Sequence, residues 1–501
     1  MLRESSSKSQ GPHAVPSRYI TPKNFNDLKF HPHVNPMTRS PDLPFELLEK
    51  IFILSIEPAI DRQGRPFSKC LGTVFVLCHV CAFWRFVALH TRQLWNLGGT
   101  PIFLPSRWIR SHAATKMFLE RSADLPVSFH LCQYPVTRKH HSYRIRNLEG
   151  ILDTINQISE RWETFHVTLE EAEHEVNALE KIPAERLDNL KKLVLTLRNR
   201  GGRWGRDASL KVFSSAPQLQ DVSINMMSTS GSLSHFISLP WRQLTQLSVG
   251  HDHPSSVLHA VLACTSLVSA SITTRQWTQM FPTMLPAVPK ELPHLERLDI
   301  LVHLHHEAGA DEGEHLGPFL HCIMAPALKF LALELGFSEI KDEDESWLGP
   351  VDFVMPLAIF LSRALQLEHL RTTDCITSDM VGVLFFTPAL KWLEYSDAGV
   401  DDEFFAGLEI RGDGSPVLAP HLEQLDLNNV GDEYEEARVQ AMIASRWWAD
   451  DAQHNSLPVT SRLKRVRLWN EDIPPKLFSP EFELKMKQYR SEGLDVRGFY
   501  F

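Results

Sequence analysis

A six-residue pattern, L-x-x-L-x-L, recurs along most of this 501-residue chain and constrains its fold more than any other feature. In a β-strand the fourth and sixth residues of the pattern point to the same side, so one face of each strand is expected to be buried. The clear copies are Leu190/Leu193/Leu195, Leu219/Val222/Ile224, Leu244/Leu247/Val249, Leu295/Leu298/Ile300, Leu328/Leu331/Leu333, Leu390/Leu393/Tyr395, Leu422/Leu425/Leu427 and Leu463/Val466/Leu468. Weaker copies are Leu267/Ala270/Ile272 and Leu367/Leu370/Thr372.

The segments between the copies predict helices that join parallel strands. Residues 255–262 and 353–365 are two such covering segments, and two helix–strand units, 107–131 and 148–169, precede the first copy. A proline often precedes the first leucine, where we expect it to end a helix and to fix an extended approach to the strand. These prolines are Pro217, Pro240, Pro293, Pro326, Pro388 and Pro420.

A strand, a helix and a parallel strand require a crossover, and such crossovers are right-handed. Copies of the pattern follow one another at roughly 23 to 41 residues. This arrangement predicts a curved right-handed α/β solenoid. A doubly wound α/β domain is the alternative, but it would have fewer, longer strands and a glycine-rich loop, which the sequence does not contain.

The N-terminal part of the chain has a different, all-helical pattern. Residues 1–40 show no sustained apolar period and predict a disordered tail. Apolar residues at helical spacing then occupy 47–54 and again 74–89, with a polar loop between them. We therefore expect a small domain of two helices over residues 41–97, followed by the solenoid over residues 98–501.

Six residue pairs of this helical domain form one pattern: Leu43-Pro44, Leu47-Leu48, Ile51-Phe52, Val80-Cys81, Trp84-Arg85 and Leu94-Trp95. They give a Leu-Pro start, a Leu-Leu-x-x-Ile-Phe helix, a Val-Cys-x-x-Trp-Arg helix and a Leu-Trp end. In this pattern the domain resembles an F-box. The segment between the helices, 58–72, is longer than the family usually has. The rest of the chain is similar to the degenerate leucine-rich repeats of the large fungal F-box families.

This resemblance implies a substrate-recruiting adaptor and not an enzyme. In the family, F-box helices bind the linker protein Skp1, which joins them to a cullin–RING ubiquitin ligase, while the repeat body holds a protein substrate. Such an adaptor raises the effective concentration of the substrate near the ubiquitin-conjugating enzyme without supplying a reacting group. The implied Skp1 contacts are Leu43, Pro44, Leu47, Ile51, Val80, Cys81 and Trp84. The alternative is a leucine-rich-repeat interaction scaffold with no link to ubiquitination.

Aromatic residues toward the C-terminal repeats are the candidate substrate-binding residues. They are Trp392, Tyr395, Trp447 and Trp469. Trp and Tyr are favoured anchors at protein interfaces, although a solenoid also uses bulky side chains to fill its core and to cap its end.

No catalytic, metal or cofactor site is expected. The sequence has no Gly-x-Ser-x-Gly elbow, no phosphate-binding loop and no His-Glu-x-x-His motif. Cys78-x-x-Cys81 lacks a second ligand pair, so core cysteines on a helix are the preferred interpretation. The segment 303–315, rich in histidine and acidic residues, is interpreted as a solvated loop, with metal binding as the alternative. The arginine–glycine segment 198–206 is interpreted as a hairpin-like excursion between repeats, with contact to RNA or to an acidic substrate as the alternative.

Charge and cysteine usage indicate an intracellular protein with protein partners. A formal net charge of −10 and a pI of about 6.2 supply no overall attraction for nucleic acid. The apolar stretch 74–89 contains His79 and Arg85 and is too short to cross a membrane, and the N-terminus lacks the apolar core of a signal peptide. The seven cysteines show no repeated spacing, as in reduced proteins of the cytoplasm or nucleus.

Overall fold

The computed structural model describes most of the chain between Leu43 and Gly498. The described residues are 43–55, 69–96, 100–104, 111–133, 153, 155–169, 176–177, 179–197, 209–226, 233–275, 277, 288–304, 316–337, 354–373, 380–396, 400–411, 416–428, 434–448, 460–469 and 478–498. The predicted tail, residues 1–40, lies outside them.

One parallel sheet of fourteen strands dominates the described fold, and the strands follow one another across the sheet in chain order. They are β1 Thr100–Leu104, β2 Val127–Gln133, β3 Trp162–Leu169, β4 Lys192–Leu197, β5 Asp221–Met226, β6 Gln246–His251, β7 Ser269–Arg275, β9 Arg297–Leu304, β11 Phe330–Phe337, β12 His369–Thr373, β13 Trp392–Ser396, β14 Gln424–Asn428, β15 Arg465–Trp469 and β16 Asp495–Arg497. Two further strands, β8 Lys290–Glu291 and β10 Ile323–Met324, form a separate parallel pair. The chain is therefore mixed α/β, as predicted.

All ten copies of the L-x-x-L-x-L pattern coincide with strands of this sheet and pair in register. Leu370 of β12 pairs with Leu393 of β13, which pairs with Leu425 of β14 and, through it, with Val466 of β15. All four side chains are fully buried. Burying one such side chain stabilises the fold by on the order of 2 kcal/mol. The two weak copies form β7 and β12 because strong copies on both sides supply their apolar neighbours.

Twelve α-helices are described, and those between the strands cover the leucine side of the sheet, where they share its hydrophobic core. They are α1 Phe45–Ser55, α2 Lys69–Val80, α3 Ala82–His90, α4 Ser111–Arg121, α5 Leu233–Phe236, α6 Pro254–Ala263, α7 Gly317–Cys322, α8 Val354–Leu361, α9 Met380–Leu384, α10 Asp402–Leu408, α11 Glu436–Arg446 and α12 Pro480–Ser491. The predicted segments 255–262 and 353–365 correspond to α6 and α8. Helix α8 is shorter than the predicted segment 353–365 because the turn that precedes β12 begins at Ala364.

A tight turn, and not an extended segment, precedes many of the strands. The N–H of the first leucine donates to the carbonyl three residues earlier, as from Leu328 to Ala325 (3.2 Å) and from Leu422 to Ala419 (3.1 Å). The proline occupies the second position of this turn, which suits its fixed φ. Pro217, Pro293, Pro326, Pro388 and Pro420 hold that position. Pro240 instead precedes a single 3₁₀ turn.

The helical region contains three helices where the sequence predicted two. Cys81 has extended dihedral angles and separates α2 from α3. Its thiol accepts a hydrogen bond from the N–H of Trp84 (Sγ to N, 3.4 Å), so it caps the N-terminus of α3. Arg85 Nε donates to the carbonyl of Cys78 (2.8 Å) near the end of α2. The apolar spacing did not reveal the break because both helices bury residues in one core.

Helix α4 joins this helical region to the sheet, since it contributes to both hydrophobic cores. Phe118 packs on Trp95 of the helical region at a centroid distance of 5.1 Å, whereas Leu119 belongs to the core of the sheet. The guanidinium of Arg161, just before β3, donates to the carbonyl of Leu119 (3.3 Å) and to the hydroxyl of Ser122 (2.7 Å). Packing and hydrogen bonds together fix the junction.

Arg446, at the end of α11, is fully buried and has no acidic partner among the described residues. Its three guanidinium nitrogens donate to the carbonyls of Leu408 (2.6 Å), Leu418 (2.6 Å) and Ala419 (3.1 Å). Burial lowers the pKa of Arg446 to about 10, so the side chain remains charged at neutral pH. It therefore holds the end of α10 and the turn before β14 against α11.

We expect Arg446→Ala to lower the free energy of unfolding by roughly 3 kcal/mol or more, because three buried carbonyls lose their donors and a cavity forms. The control is Arg438→Ala on the exposed side of the same helix, which should change it by less than about 0.5 kcal/mol. Urea unfolding followed by circular dichroism measures both. Equal effects would contradict the structural role of Arg446.

Candidate functional site

Helix α1 has two apolar faces, only one of which is buried. Leu48 and Phe52 point into the core of the helical region. Leu47, Ile51 and Leu54, spaced at four and three residues, lie on the other side and are 47%, 47% and 64% exposed. A surface helix normally presents polar side chains on its outer face, whereas the outer face of α1 is apolar.

Helices α2 and α3 add to this exposed apolar surface. Val76 and Val80 of α2 and Phe83 and Phe86 of α3 are all exposed. Eight of the fifteen exposed large hydrophobic side chains of the described chain lie on α1–α3. Single exposed apolar residues are ordinary, whereas a concentration of them indicates a binding surface. We call Leu47, Ile51, Leu54, Val76, Val80, Phe83 and Phe86 the N-terminal apolar patch.

The residues predicted to contact Skp1 divide between this patch and its support. Leu47, Ile51 and Val80 belong to the patch. Pro44 is exposed, and its carbonyl accepts hydrogen bonds from the N–H groups of Leu47 and Leu48 (both 3.1 Å). Pro44 thus stands at the start of α1 with its ring outside the helix.

The other three predicted residues are half-buried. Leu43 and Trp84 pack against the core of the helical region, where the Trp84 ring lies 5.0 Å from that of Phe52. Cys81 caps α3 through its thiol. These side chains hold the helices in place as well as bordering the surface.

Sequence reasoning missed Leu54, Val76, Phe83 and Phe86. A signal for the two phenylalanines was present, because they lie three residues apart and so share one face of a helix. Their outward position depends on the break at Cys81, which sets the rotation of α3 independently of α2.

A second candidate surface is the side of the sheet opposite the buried leucines, which we call the open face. It carries the third, fifth and seventh residues of each copy of the pattern. Across β4–β7 half of these positions carry a small hydroxyl-bearing side chain: Thr196, Ser223, Ser248, Ser269, Ser271 and Thr273. Across β9–β15 most of them are aromatic or charged. Because aromatic and arginine side chains dominate binding energy at protein interfaces, the second half is the better candidate.

An aromatic row crosses the open face from β11 to β13. Phe330, His369 and Trp392 occupy equivalent positions of adjacent strands. His369 meets Phe330 edge-on (4.5 Å between centroids) and stacks on Trp392 (4.0 Å), and the Arg297 guanidinium lies 3.6 Å from the Phe330 centroid. Burial, with Arg297 and Arg371 nearby, lowers the pKa of His369 to about 4, so the ring is neutral at pH 7.

Two carboxylates lie beside this row. Glu394 of β13 and Asp426 of β14 are register partners on the open face. Asp426 accepts a hydrogen bond from the indole N–H of Trp392 (3.0 Å), and Glu394 Oε2 lies 4.0 Å from His369 Nε2. Burial raises the pKa of both carboxyl groups above their ordinary values. Phe330, His369, Glu394 and Asp426 were not foreseen as surface residues.

Of the three predicted substrate-binding aromatics whose side chains are described, only Trp392 lies on the open face. Tyr395 and Trp447 are corrected to core positions. Tyr395 replaces the last leucine of its copy, and Trp447 packs under Arg462 (3.7 Å) and donates to Glu492 (3.1 Å). The side chain of Trp469 lies outside the described residues.

The remaining predicted features are only partly covered by the described residues. In the described chain there is no group of three or more metal-ligating side chains. His303 is half-buried on β9, whereas the rest of segment 303–315 lies outside the described residues except Leu304, as does segment 198–206. Among the helices that the structure describes, none combines the length and apolar character that a membrane crossing requires.

Comparison of the sequence with protein-family models gives no match, and comparison with curated proteins gives none either.

The low pKa of His369 predicts a pH dependence of stability. Between about pH 6.5 and pH 4 the unfolded chain binds this proton and the folded chain does not, so stability falls as the pH falls through this window. His369→Phe keeps a ring between Phe330 and Trp392 but has no proton to gain. We expect it to lose less stability than the wild type between pH 7 and pH 4.5, as measured by urea unfolding. His259→Gln, at an exposed histidine of α6, should behave as the wild type. An unchanged pH profile in His369→Phe would contradict the buried neutral state.

Proposed function

We propose that this protein is a substrate-recruiting adaptor of a Skp1–cullin–F-box ubiquitin ligase. In this proposal residues 41–97 form an F-box-like domain that binds a Skp1-like linker. Residues 98–501 form a right-handed leucine-rich-repeat-like solenoid that holds a protein substrate. The adaptor supplies position and no reacting group, because proximity alone accelerates a transfer between two other proteins.

The N-terminal apolar patch carries this proposal. It lies on the helices whose sequence resembles an F-box, and Leu47, Ile51 and Val80 belong to both the resemblance and the patch. An apolar surface of this kind is unfavourable in water and becomes favourable when a partner covers it. Beneath it, Phe52, Trp84 and the other core residues give the patch a support that does not depend on the partner.

The sheet supports the second half of the proposal. Its strands follow chain order without a reversal, as expected for stacked repeats and unlike a doubly wound domain. One side is filled by leucines and helices, while the other presents aromatic and charged side chains. Repeat proteins bind their partners through such extended surfaces.

Free cysteines support a cytoplasmic or nuclear location. Cys78, Cys264 and Cys322 are buried as thiols. Burial raises the pKa of the Cys264 thiol to about 12, which keeps it protonated and unreactive.

The test is a double substitution in the patch. Leu47→Arg with Ile51→Arg should weaken the binding of purified Skp1 to the full chain by at least about tenfold, because two cations replace two apolar contacts. Since both positions are exposed, the melting temperature should remain close to that of the wild type. Co-purified cullin should decrease in parallel.

The matched control is Met355→Arg with Ile359→Arg, a pair of exposed apolar residues at the same spacing on α8. It should leave Skp1 binding unchanged. Absence of Skp1 binding by the wild type, or its retention by the patch variant, would refute the proposal. If the patch variant lost a partner other than Skp1, the interaction-scaffold alternative would gain support.

A further inference from the structure

Several described arginines of the open face form ion pairs, whereas two neighbouring carboxylates of this face do not. Three arginines of this face form ion pairs: Arg297 with Asp299 (2.8 Å), Arg371 with Glu334 (3.7 Å), and Arg465 with Asp495 (3.0 Å). Arg497 also pairs with Asp495 (2.8 Å). Within the described chain, no lysine or arginine forms an ion pair with Glu394 or Asp426, although the two carboxylates are neighbours in register.

Asp426 is buried, and only one of its two carboxylate oxygens accepts a hydrogen bond from a described residue. The side chain is only 6% exposed; one oxygen accepts from Trp392 and the other, Oδ1, has no hydrogen-bond donor among the described residues. A buried carboxylate oxygen without a donor is unfavourable. Leucine-rich packing does not require this residue, because it points away from the leucine side of the sheet.

Glu394 is the accessible member of the pair. Its side chain is 27% exposed and lies 4.0 Å from the neutral ring of His369, while Arg371 and Arg467 act on it electrostatically without forming an ion pair with it. A positively charged group approaching the open face therefore meets Glu394 first, with the charge of Asp426 beneath it. The half-exposed indole of Trp392 lies beside both carboxylates and offers an apolar and cation-attracting surface.

We propose that Glu394, Asp426 and Trp392 form a subsite for a lysine or arginine side chain of the protein substrate. The cationic head pairs with the two carboxylates, and its aliphatic stem packs on the indole. An organic cation fits better than a metal ion, because the described chain gathers no set of three metal-ligating groups here. The assignment rests on the substrate-holding half of the proposed function and makes no use of the N-terminal apolar patch.

The experiment measures binding of a fluorescein-labelled hexalysine peptide to the purified full chain, without Skp1. Glu394→Gln with Asp426→Asn should weaken binding by about tenfold or more, since the cation loses both partners. A hexaglutamate peptide should not bind.

A control of equal charge change separates this subsite from general attraction to an acidic protein. Glu163→Gln with Glu483→Gln also removes two negative charges, but from carboxylates that pair with Lys191 and Lys487 elsewhere on the surface. This variant should bind hexalysine within about twofold of the wild type. Equal weakening in both double variants, or none in the first, would overturn the subsite.

Glu394→Gln alone covers the case in which the double variant does not fold. Glu394 receives no hydrogen bond from the described residues, so its neutral isostere should keep the fold and still weaken peptide binding by at least about threefold. Skp1 binding by these variants should equal that of the wild type. Failure of the subsite therefore leaves Skp1 binding intact, whereas failure of the adaptor proposal leaves peptide binding intact.

Discussion

In-register pairing of parallel strands is the constraint on which the rest of this structure depends. Side chains alternate across a strand, so a slip of one residue would move every leucine from the core to solvent. Each turn before a strand fixes where the strand begins, and the leucine rows then align across the sheet. The same register places residues that are distant in sequence side by side on the open face. Phe330, His369 and Trp392 form one row for that reason and not because of any local motif.

The strands could be predicted because the signal is local and repeated: an apolar triad after a turn. That pattern also contained the true position of one misassigned aromatic, Tyr395. Tyr395 stands at the last apolar position of its copy and is therefore buried, whereas Trp392 stands at the third position and faces outward. The sequence did not predict β1 or β16, which lack the full triad and are strands because a neighbouring strand pairs with them. The Cys81 break was equally hidden, since a thiol is an unusual cap and the apolar spacing continues across it. The stacking distances of the aromatic row and the unpaired carboxylates cannot be read from the sequence, because they depend on how side chains of neighbouring strands meet.

The helical region and the sheet have separate hydrophobic cores, yet they are not independent units. Helix α4 contributes Phe118 to one core and Leu119 to the other, and Arg161 bonds across the junction. In an adaptor this matters because a flexible connection would lower the effective concentration of a held substrate near a partner enzyme. A packed junction, in contrast, holds the helical region in a fixed position relative to the sheet.

Two buried charged groups near the last strands of the sheet, Arg446 and Asp426, differ in how far the fold compensates their burial. Arg446 has all three nitrogens bonded to carbonyls, so the fold itself compensates its burial. Asp426 is also buried, but one of its oxygens has no donor in the described chain, and its neighbour Glu394 forms no ion pair with a described lysine or arginine. Serine occupies the equivalent open-face position of β5, β6 and β7 (Ser223, Ser248 and Ser271), so the sheet does not need a carboxylate there. Groups that destabilise the free protein and lie on its accessible face are explained most simply by a partner that compensates them when bound.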